Sequence, residues 1–392
     1  MNGNGIKGAV SKAQIKSTVV PVPLSNGRLA LHRGPFKAEH QLMVLADPGG
    51  LIKAALDKMD GTRTAEDIAG LLNADGFSVG EGDASRIIEM LSDRNVIADA
   101  ESLSTALMNK DDAARYSRNL NCWAAISSDG RTATEIQTEL GCKHVLVLGV
   151  GGIGTSVALS LAMAGCGHLT LVDFDLVELS NLNRQLLFTV DDLGKPKADV
   201  AKSAIQKVNP AVAISTINTK LTSASEVHQL IRSVGADFVS NAVDRPTVAI
   251  DRWINSACFA EKIAFSANSV SGNTALFWTK IPGQTGCYNC DDMWAAQSSP
   301  DQFELKGYRE KHDLIAATSA LGVTAMTIGA LTASEIIRFL NGWPVASAGR
   351  TILLDFSTLK LTEYDKPRHP GCPICGAADA TARARERNRA QG

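Results

Sequence analysis

The stretch HVLVLGVGGIGTSVALSLAMAGCGHLTLVDF, His144 to Phe174, constrains this chain more than any other. An apolar run of strand length leads into Gly149, Gly151 and Gly154, spaced Gly-x-Gly-x-x-Gly. A helical apolar pattern follows, and then a second strand-like run that ends at Asp173. The order strand, glycine turn, helix, strand is the context in which this spacing acquires meaning. The glycines, with Gly152 inside the same turn, permit a tight bend and close approach of the backbone to a phosphate, and the helix N-terminus favours negative charge. Asp173 is placed to accept hydrogen bonds from ribose hydroxyls. The segment predicts a nucleotide-binding unit, for either a dinucleotide or ATP.

The residues that follow favour ATP. DLVELSNLNRQLLFTVDDLGKPKA carries Asn183, Arg184, Gln185 and Lys197 soon after the acidic residue. A dinucleotide site has no need of such a cluster, whereas a triphosphate calls for cationic partners. Further on, VSNAVDRP places Asp244 at the carboxyl end of a predicted strand, where doubly wound sheets bind ligands, and a carboxylate there suits Mg²⁺.

From Lys143 onward, strand-like and helical runs alternate: HVLVLGV, TSVALSLAMAG, HLTLVDF, KADVAKSAIQKV, VAISTINT, EVHQLIRSV, DFVSNAV. That alternation predicts a Rossmann-like α/β fold, a doubly wound and mostly parallel sheet, over residues 143–376. Upstream, residues 1–17 read as a loose polar arm. TVVPVPL and GRLALHRG read as strands, and three helical patterns follow, the second N-capped by Thr64. Residues 18–100 thus form a small winged-helix-like α+β domain. A polar stretch containing a helix, 101–142, links it to the larger domain, and residues 377–392 read as a disordered tail.

Four of the eight cysteines form two Cys-x-x-Cys pairs, Cys287/Cys290 and Cys372/Cys375. In a chain of 392 residues without an N-terminal apolar segment this favours zinc over disulfides. Four protein ligands leave no open position, so the zinc is read as structural. The formal net charge of −2 gives no global attraction to nucleic acid or anionic membrane. The helix TAEDIAGLLNADG, with Glu66 and Asp67 and no Lys or Arg, is a poor DNA reader. No run approaches the length of apolar residues needed to span a bilayer, and the chain is read as cytoplasmic.

The motifs GVGGIG, VDFDLVELSNLNRQLLF, GKPKA, NAVDRP, GQTGCYNC and GCPIC, in order across residues 143–376, resemble the bacterial ubiquitin-activating-like enzymes, the ThiF/MoeB superfamily of thiamin and molybdopterin synthesis. The resemblance implies attack of a substrate carboxylate on the α-phosphate of MgATP, giving an acyl adenylate and pyrophosphate. It implies that Asp173 binds ribose, that Asn183, Arg184 and Lys197 hold phosphates, and that Asp244 holds Mg²⁺. RYSRN, Arg115 to Asn119, resembles the family's helix that hands an arginine to the ATP of a partner subunit. Arg118 is the choice for that role, and it implies a homodimer; a helix-surface ion pair is the alternative.

DGTRTAEDIAGLL, Asp60 to Leu72, and IIEMLSDRNVI resemble PqqD-like recognition domains, which bind the leaders of ribosomal precursor peptides; a purely structural domain and a DNA reader are the alternatives. Many superfamily members pass the acyl group to a cysteine in the crossover loop, but residues 298–342 contain none. Together these features are similar to the precursor-peptide-modifying branch of microcin C and pantocin synthesis. That resemblance implies activation of a Glu or Asp side chain leading to ring closure, with C-terminal adenylation of the peptide, or adenylation of a sulfur-carrier protein, as alternatives.

Overall fold

The computed structural model describes residues 10–33, 42–100, 108–127, 130–314 and 319–376. The chain divides into two compact units, Met1–Glu139 and Leu140–Gly392.

In the first unit β2 (Val19–Leu24), β3 (Arg28–Arg33) and β4 (Leu42–Ala46) form an antiparallel three-stranded sheet, and β1 (Ala13–Ile15) pairs instead with β5 (Ile97–Asp99). Three helices lie between β4 and β5: α1 (Leu51–Lys58), α2 (Ala65–Ala74) and α3 (Glu81–Asp93). Thr64 caps α2 as the sequence predicts. Its hydroxyl accepts from the Asp67 N–H while the Asp67 carboxylate accepts from the Thr64 N–H, so two otherwise orphaned donors are satisfied. Leu29, Leu31, Met59, Ile68, Leu72, Leu91 and Ile97 close the core.

One expectation changes here. Residues 10–17 are not part of a loose arm, because Ala13 is 1% exposed and Ile15 pairs with Ile97. The helix expected in the linker is present as α5 (Ser117–Ile126), which holds Arg118, and α4 (Lys110–Arg115) and α6 (Ala133–Gly141) flank it. Trp123 and Ile136 are buried, and the Trp123 Nε1–H donates to Gln137 Oε1 at 2.9 Å. Lys16 and Asn95 donate to the Ala124 and Ala125 carbonyls, which satisfies the C-terminal end of α5. Long-range partners of this kind leave no periodic trace in the sequence. The expected tail, 377–392, lies outside the described residues.

The second unit is built on eight strands in the order β13-β12-β11-β10-β9-β6-β7-β8. They are β6 (His144–Leu148), β7 (His168–Val172), β8 (Ala213–Ile217), β9 (Phe238–Asn241), β10 (Ala264–Ser271), β11 (Thr274–Lys280), β12 (Arg350–Asp355) and β13 (Lys360–Asp365). The five strands β10-β9-β6-β7-β8 are parallel, and the last three are added antiparallel. The predicted doubly wound, mostly parallel sheet is present, with an antiparallel extension. β6 and β7 are buried at four of five positions each, as parallel strands covered on both faces must be.

α9 (Ala224–Val234) and α10 (Ala249–Glu261) cover one face, packing Val227, Ile231, Ile250 and Ile254 against Leu146, Val239, Phe265 and Ala267. α7 (Gly152–Ala164), α8 (Lys197–Val208) and α13 (Gly322–Leu340) cover the other. Contrary to the sequence reading, one helix, α13, is long and apolar enough to cross a membrane, but half of it is buried against α7, β10 and β11. A Cβ on Gly329 would lie 2.5 Å from the Ser156 Cβ, so this glycine lets α13 approach α7. α11 (Tyr288–Ser298) and α12 (Pro300–Lys311) lie beside α10.

At the carboxyl end of β9, Asn241 Nδ2 donates to Asp251 Oδ1 at 2.8 Å and Asn241 Oδ1 accepts from the Val243 N–H. Asp251 thereby fixes the turn that leads to Asp244. Burial pushes the Asp251 carboxyl up to about 6, against the opposing charge of Lys306. Because the folded value exceeds the unfolded one, this group's contribution to stability is full below pH 3.8 and is lost as pH rises through 6. Asp251→Asn keeps an acceptor for the Asn241 Nδ2–H without the charge. It should be more stable than the parent, and by about 1 kcal/mol more at pH 8 than at pH 5, in urea unfolding at the two pH values. An equal gain at both would remove the assignment.

Candidate active site

The chain reverses direction across the sheet at β6, with β7 on one side and β9 on the other, which opens a crevice at their carboxyl ends. The glycine turn lies there. Gly149 has φ +85°, and a Cβ at Gly154 would stand 1.8 Å from the Gly149 carbonyl oxygen, so no larger residue fits either position. Gly151 caps α7 and Gly152 begins it, so the free N–H groups of the helix open into the crevice. Asp173, one residue past β7, accepts from the Val150 N–H and the Asp175 N–H, both at 2.8 Å. These bonds fix the carboxylate against the turn, and burial raises its pKa above the ordinary value.

Arg184 and Lys197 are held differently. The Arg184 guanidinium donates to the Ser180 carbonyl at 2.8 Å and to Asn183 Oδ1 at 2.9 Å, and no carboxylate pairs with it among the described residues. Its stem lies beside Gly152, where a Cβ would be 3.4 Å from the Arg184 Cγ. Lys197, the first residue of α8, is buried and ion-paired to Asp175 at 2.8 Å. Sequence reasoning missed Asp175, which stands 22 residues from its partner with no periodic relation to it. Asn183 is exposed, whereas Gln185 is buried with Oε1 lacking a partner, and a Cβ on Gly151 would lie 3.9 Å from Gln185 Nε2.

Asp244 is exposed and makes no hydrogen bond or ion pair among the described residues. The loop after it is tied down by Asp313, which accepts from the Thr247 N–H at 2.7 Å and pairs with Arg245 at 3.2 Å. The glycine turn, Asp173, Arg184, Gln185 and Lys197 thus come together at one edge of the sheet. Arg118, in the first unit, is an exposed residue of α5. It has no ion pair among the described residues, so the helix-surface pairing is not found.

Cys287, Cys290, Cys372 and Cys375 meet as a buried group whose sulfurs all lie within 4.8 Å of one another. The separations of 3.8, 3.5 and 3.2 Å for Cys287–Cys290, Cys287–Cys372 and Cys290–Cys375 are close to the ~3.8 Å edge of a tetrahedron with zinc–sulfur bonds of ~2.3 Å. The all-thiolate donor set fits zinc, and it joins the start of α11 to the segment after β13. The other thiols are unsuited to nucleophilic work where buried: burial pushes Cys166 up to about 12 and raises Cys258 as well.

A ThiF family model matches residues 116–374. The sulfur carrier protein ThiS adenylyltransferase of Escherichia coli is 32% identical over 70% of this chain and 99% of its own length. The molybdopterin-synthase adenylyltransferase of the same organism is 33% identical over 61% of this chain and 90% of its own. Among solved structures, E. coli MccB with AMPCPP and MccA superposes with a TM-score of 0.74 at 23% identity, covering 93% of this chain and 99% of that one. PaaA superposes with a TM-score of 0.69 at 21% identity, covering 90% and 99%. At these identities the last two establish a shared fold.

For the cysteine group, metal analysis of the purified protein should give one zinc per chain. Stripping it with a strong chelator, or Cys372→Ser, should lower the melting temperature by several degrees. A metal-free protein with an unchanged melting temperature would discard the site.

Proposed function

The chain belongs to the ThiF family and is an ATP-dependent adenylating enzyme, and we propose that the carboxylate it activates lies in a ribosomally made precursor peptide of antibiotic biosynthesis. The observation that carries this reading is how far the likeness to MccB extends. The family model begins at residue 116, whereas the MccB likeness covers 93% of this chain and so takes in most of residues 1–115. MccB has been solved with the peptide MccA, and a leader docked on residues 18–100 of this chain is the corresponding role for its three-stranded sheet and helices.

In the proposed reaction a carboxylate oxygen attacks the α-phosphorus of ATP, the bond from that phosphorus to the bridging oxygen breaks, and pyrophosphate leaves. Asp173 holds the ribose, and the N–H groups of the Gly149–Gly154 turn face the phosphates with Asn183 and Gln185. Arg184, without a carboxylate partner among the described residues, neutralises phosphate charge, and Lys197 acts from its pair with Asp175. Mg²⁺, when bound, shields charge on the leaving pyrophosphate; the exposed carboxylate of Asp244 has the chemistry to hold it. Catalysis is then positioning and charge neutralisation, with no general base required. Arg118 is proposed to reach the nucleotide of a partner subunit in a homodimer.

The side chain of a Glu or Asp, activated for attack by a nucleophile of the same peptide, is the preferred target; C-terminal adenylation is the alternative. The named relatives favour a second reading, adenylation of a sulfur-carrier protein. Against a covalent thioester relay on that route stands the sequence from 298 to 342, which has no cysteine.

Intact mass of peptides encoded beside the gene, after incubation with enzyme and MgATP, decides among these. Loss of water indicates ring closure, gain of an adenylyl group indicates C-terminal activation, and modification of only a glycine-tailed carrier would replace the peptide reading. Arg184→Ala and Asp244→Ala should each lower turnover by roughly 100-fold or more without weakening peptide binding. Arg118→Ala mixed with Arg184→Ala should recover activity in hybrid dimers; no recovery would make Arg118 a residue of its own subunit's site or a structural one.

A further inference from the structure

A row of polar side chains on the sheet has no partner among the described residues. Ser240 Oγ, Ser266 Oγ and both carboxamide atoms of Asn268 are shut away from solvent without a hydrogen bond. Ser240 and Ser266 stand opposite one another in the β9–β10 ladder, each 0% exposed, and Asn268 is two residues further along β10. Phe265 and Ala267 pack towards α9 and α10, so Ser266, Asn268 and Val270 project from the opposite face. Val270 indeed packs with Ile153 of α7 and Ile328 of α13. A serine can be tolerated in such a place as a small residue. A carboxamide cannot be explained that way, because it is poor in strands and its unpaired burial is a standing cost that an aliphatic residue would avoid.

The ladders fix where Asn268 lies relative to the nucleotide turn. Val172, Leu148, Asn241 and Ala267 are successive partners across β7, β6, β9 and β10. The next residue on each strand gives a second row at the carboxyl edge: Asp173, Gly149, Ala242, Asn268. Its ends are three strand spacings apart, roughly 14 Å. Asp173 marks the ribose end and the glycine turn with the α7 N-terminus marks the phosphates. What remains is the far end, on the α7 and α13 face, where the group joined to the α-phosphate must lie.

We propose that Asn268 is the residue that grips the acyl group: its Nδ2 donates to the carbonyl oxygen of the carboxylate being activated, and its Oδ1 accepts an N–H from the substrate chain. This rests on the carboxylate-adenylation reading and adds to it the side of the crevice from which the substrate enters. A carboxamide accommodates both the ionised carboxylate and the uncharged acyl carbonyl of the adenylate, because its donor faces the same oxygen in each. The residue thus contacts substrate without taking part in proton transfer.

The test separates the acyl group from the nucleotide. Binding of 5′-O-sulfamoyladenosine and of its N-acetyl derivative, which mimics an acyl adenylate, is measured calorimetrically on the intact chain. The parent protein should bind the acetyl derivative about tenfold more tightly, the increment of a hydrogen bond made in a buried site. Asn268→Ala and Asn268→Asp should abolish that increment while leaving the affinity for sulfamoyladenosine within about twofold, which also reports an intact fold. An unchanged increment in Asn268→Ala, or no increment in the parent, would overturn the assignment and leave adenylation standing. Equal loss of both ligands in both variants would make Asn268 a packing residue and overturn it too. A parent protein that binds neither ligand would bring down the adenylation reading together with this one.

Discussion

The contact between Gly154 and the carbonyl oxygen of Gly149, where a Cβ would sit at 1.8 Å, governs the rest of the site. It holds the first turn of α7 against the end of β6, so that the helix N-terminus opens at the edge of the sheet and not above its face. α13 is drawn in by the same device, a glycine at 329 against Ser156, and a Cβ on Gly152 would stand 3.2 Å from the Ala325 Cβ. Two helix N-termini therefore meet beside the turn, and a Cβ on Gly322 would touch the Asn183 carbonyl at 2.8 Å. The loop that carries Asn183, Arg184 and Gln185 is gripped between them. Charge recognition here depends on backbone packing set some distance from any charged group.

The two cations of that region make different use of the low dielectric around them. Lys197 is buried, and only its pairing with Asp175 makes that burial tolerable. Arg184 is surrounded by neutral oxygens and keeps its full charge for an incoming anion. A phosphate arriving at the turn meets one cation that is uncompensated and one whose compensation it must share. The uncompensated guanidinium therefore carries the larger electrostatic effect, whereas Lys197 and Asp175 fix the start of α8 to the loop after β7.

What was legible in the sequence is what depends on local spacing. The glycine turn, Asp173 one residue beyond its strand, the Thr64 cap and the two Cys-x-x-Cys pairs each announce themselves within a few residues. The parallel half of the sheet was equally legible, since buried parallel strands are short apolar runs alternating with helices. The sheet beyond β9 was not, because β10, the last parallel strand, interrupts its apolar residues with Ser266, Asn268 and Ser269. Neither was β1, whose three residues have meaning only through Ile97 and Asp99, more than 80 positions away. Asp175, Asp251 and Asp313 escaped for the same reason, their roles being set by partners that tertiary contact alone brings close.

Strand order also restricts the chemistry. If, as proposed, ribose lies over β7 and phosphates over β6 and β9, the acyl group is left the carboxyl edge of β10, on the side where the sheet turns antiparallel. A nucleophile that consumes an acyl adenylate must reach this place. Cys258, on α10, is fully buried on the opposite face with its thiol pKa raised, and Cys166 lies buried at the other end of α7. Neither thiol stands at the carboxyl edge of β10. Under the proposed function an acyl group activated there is handed to another atom of the same peptide.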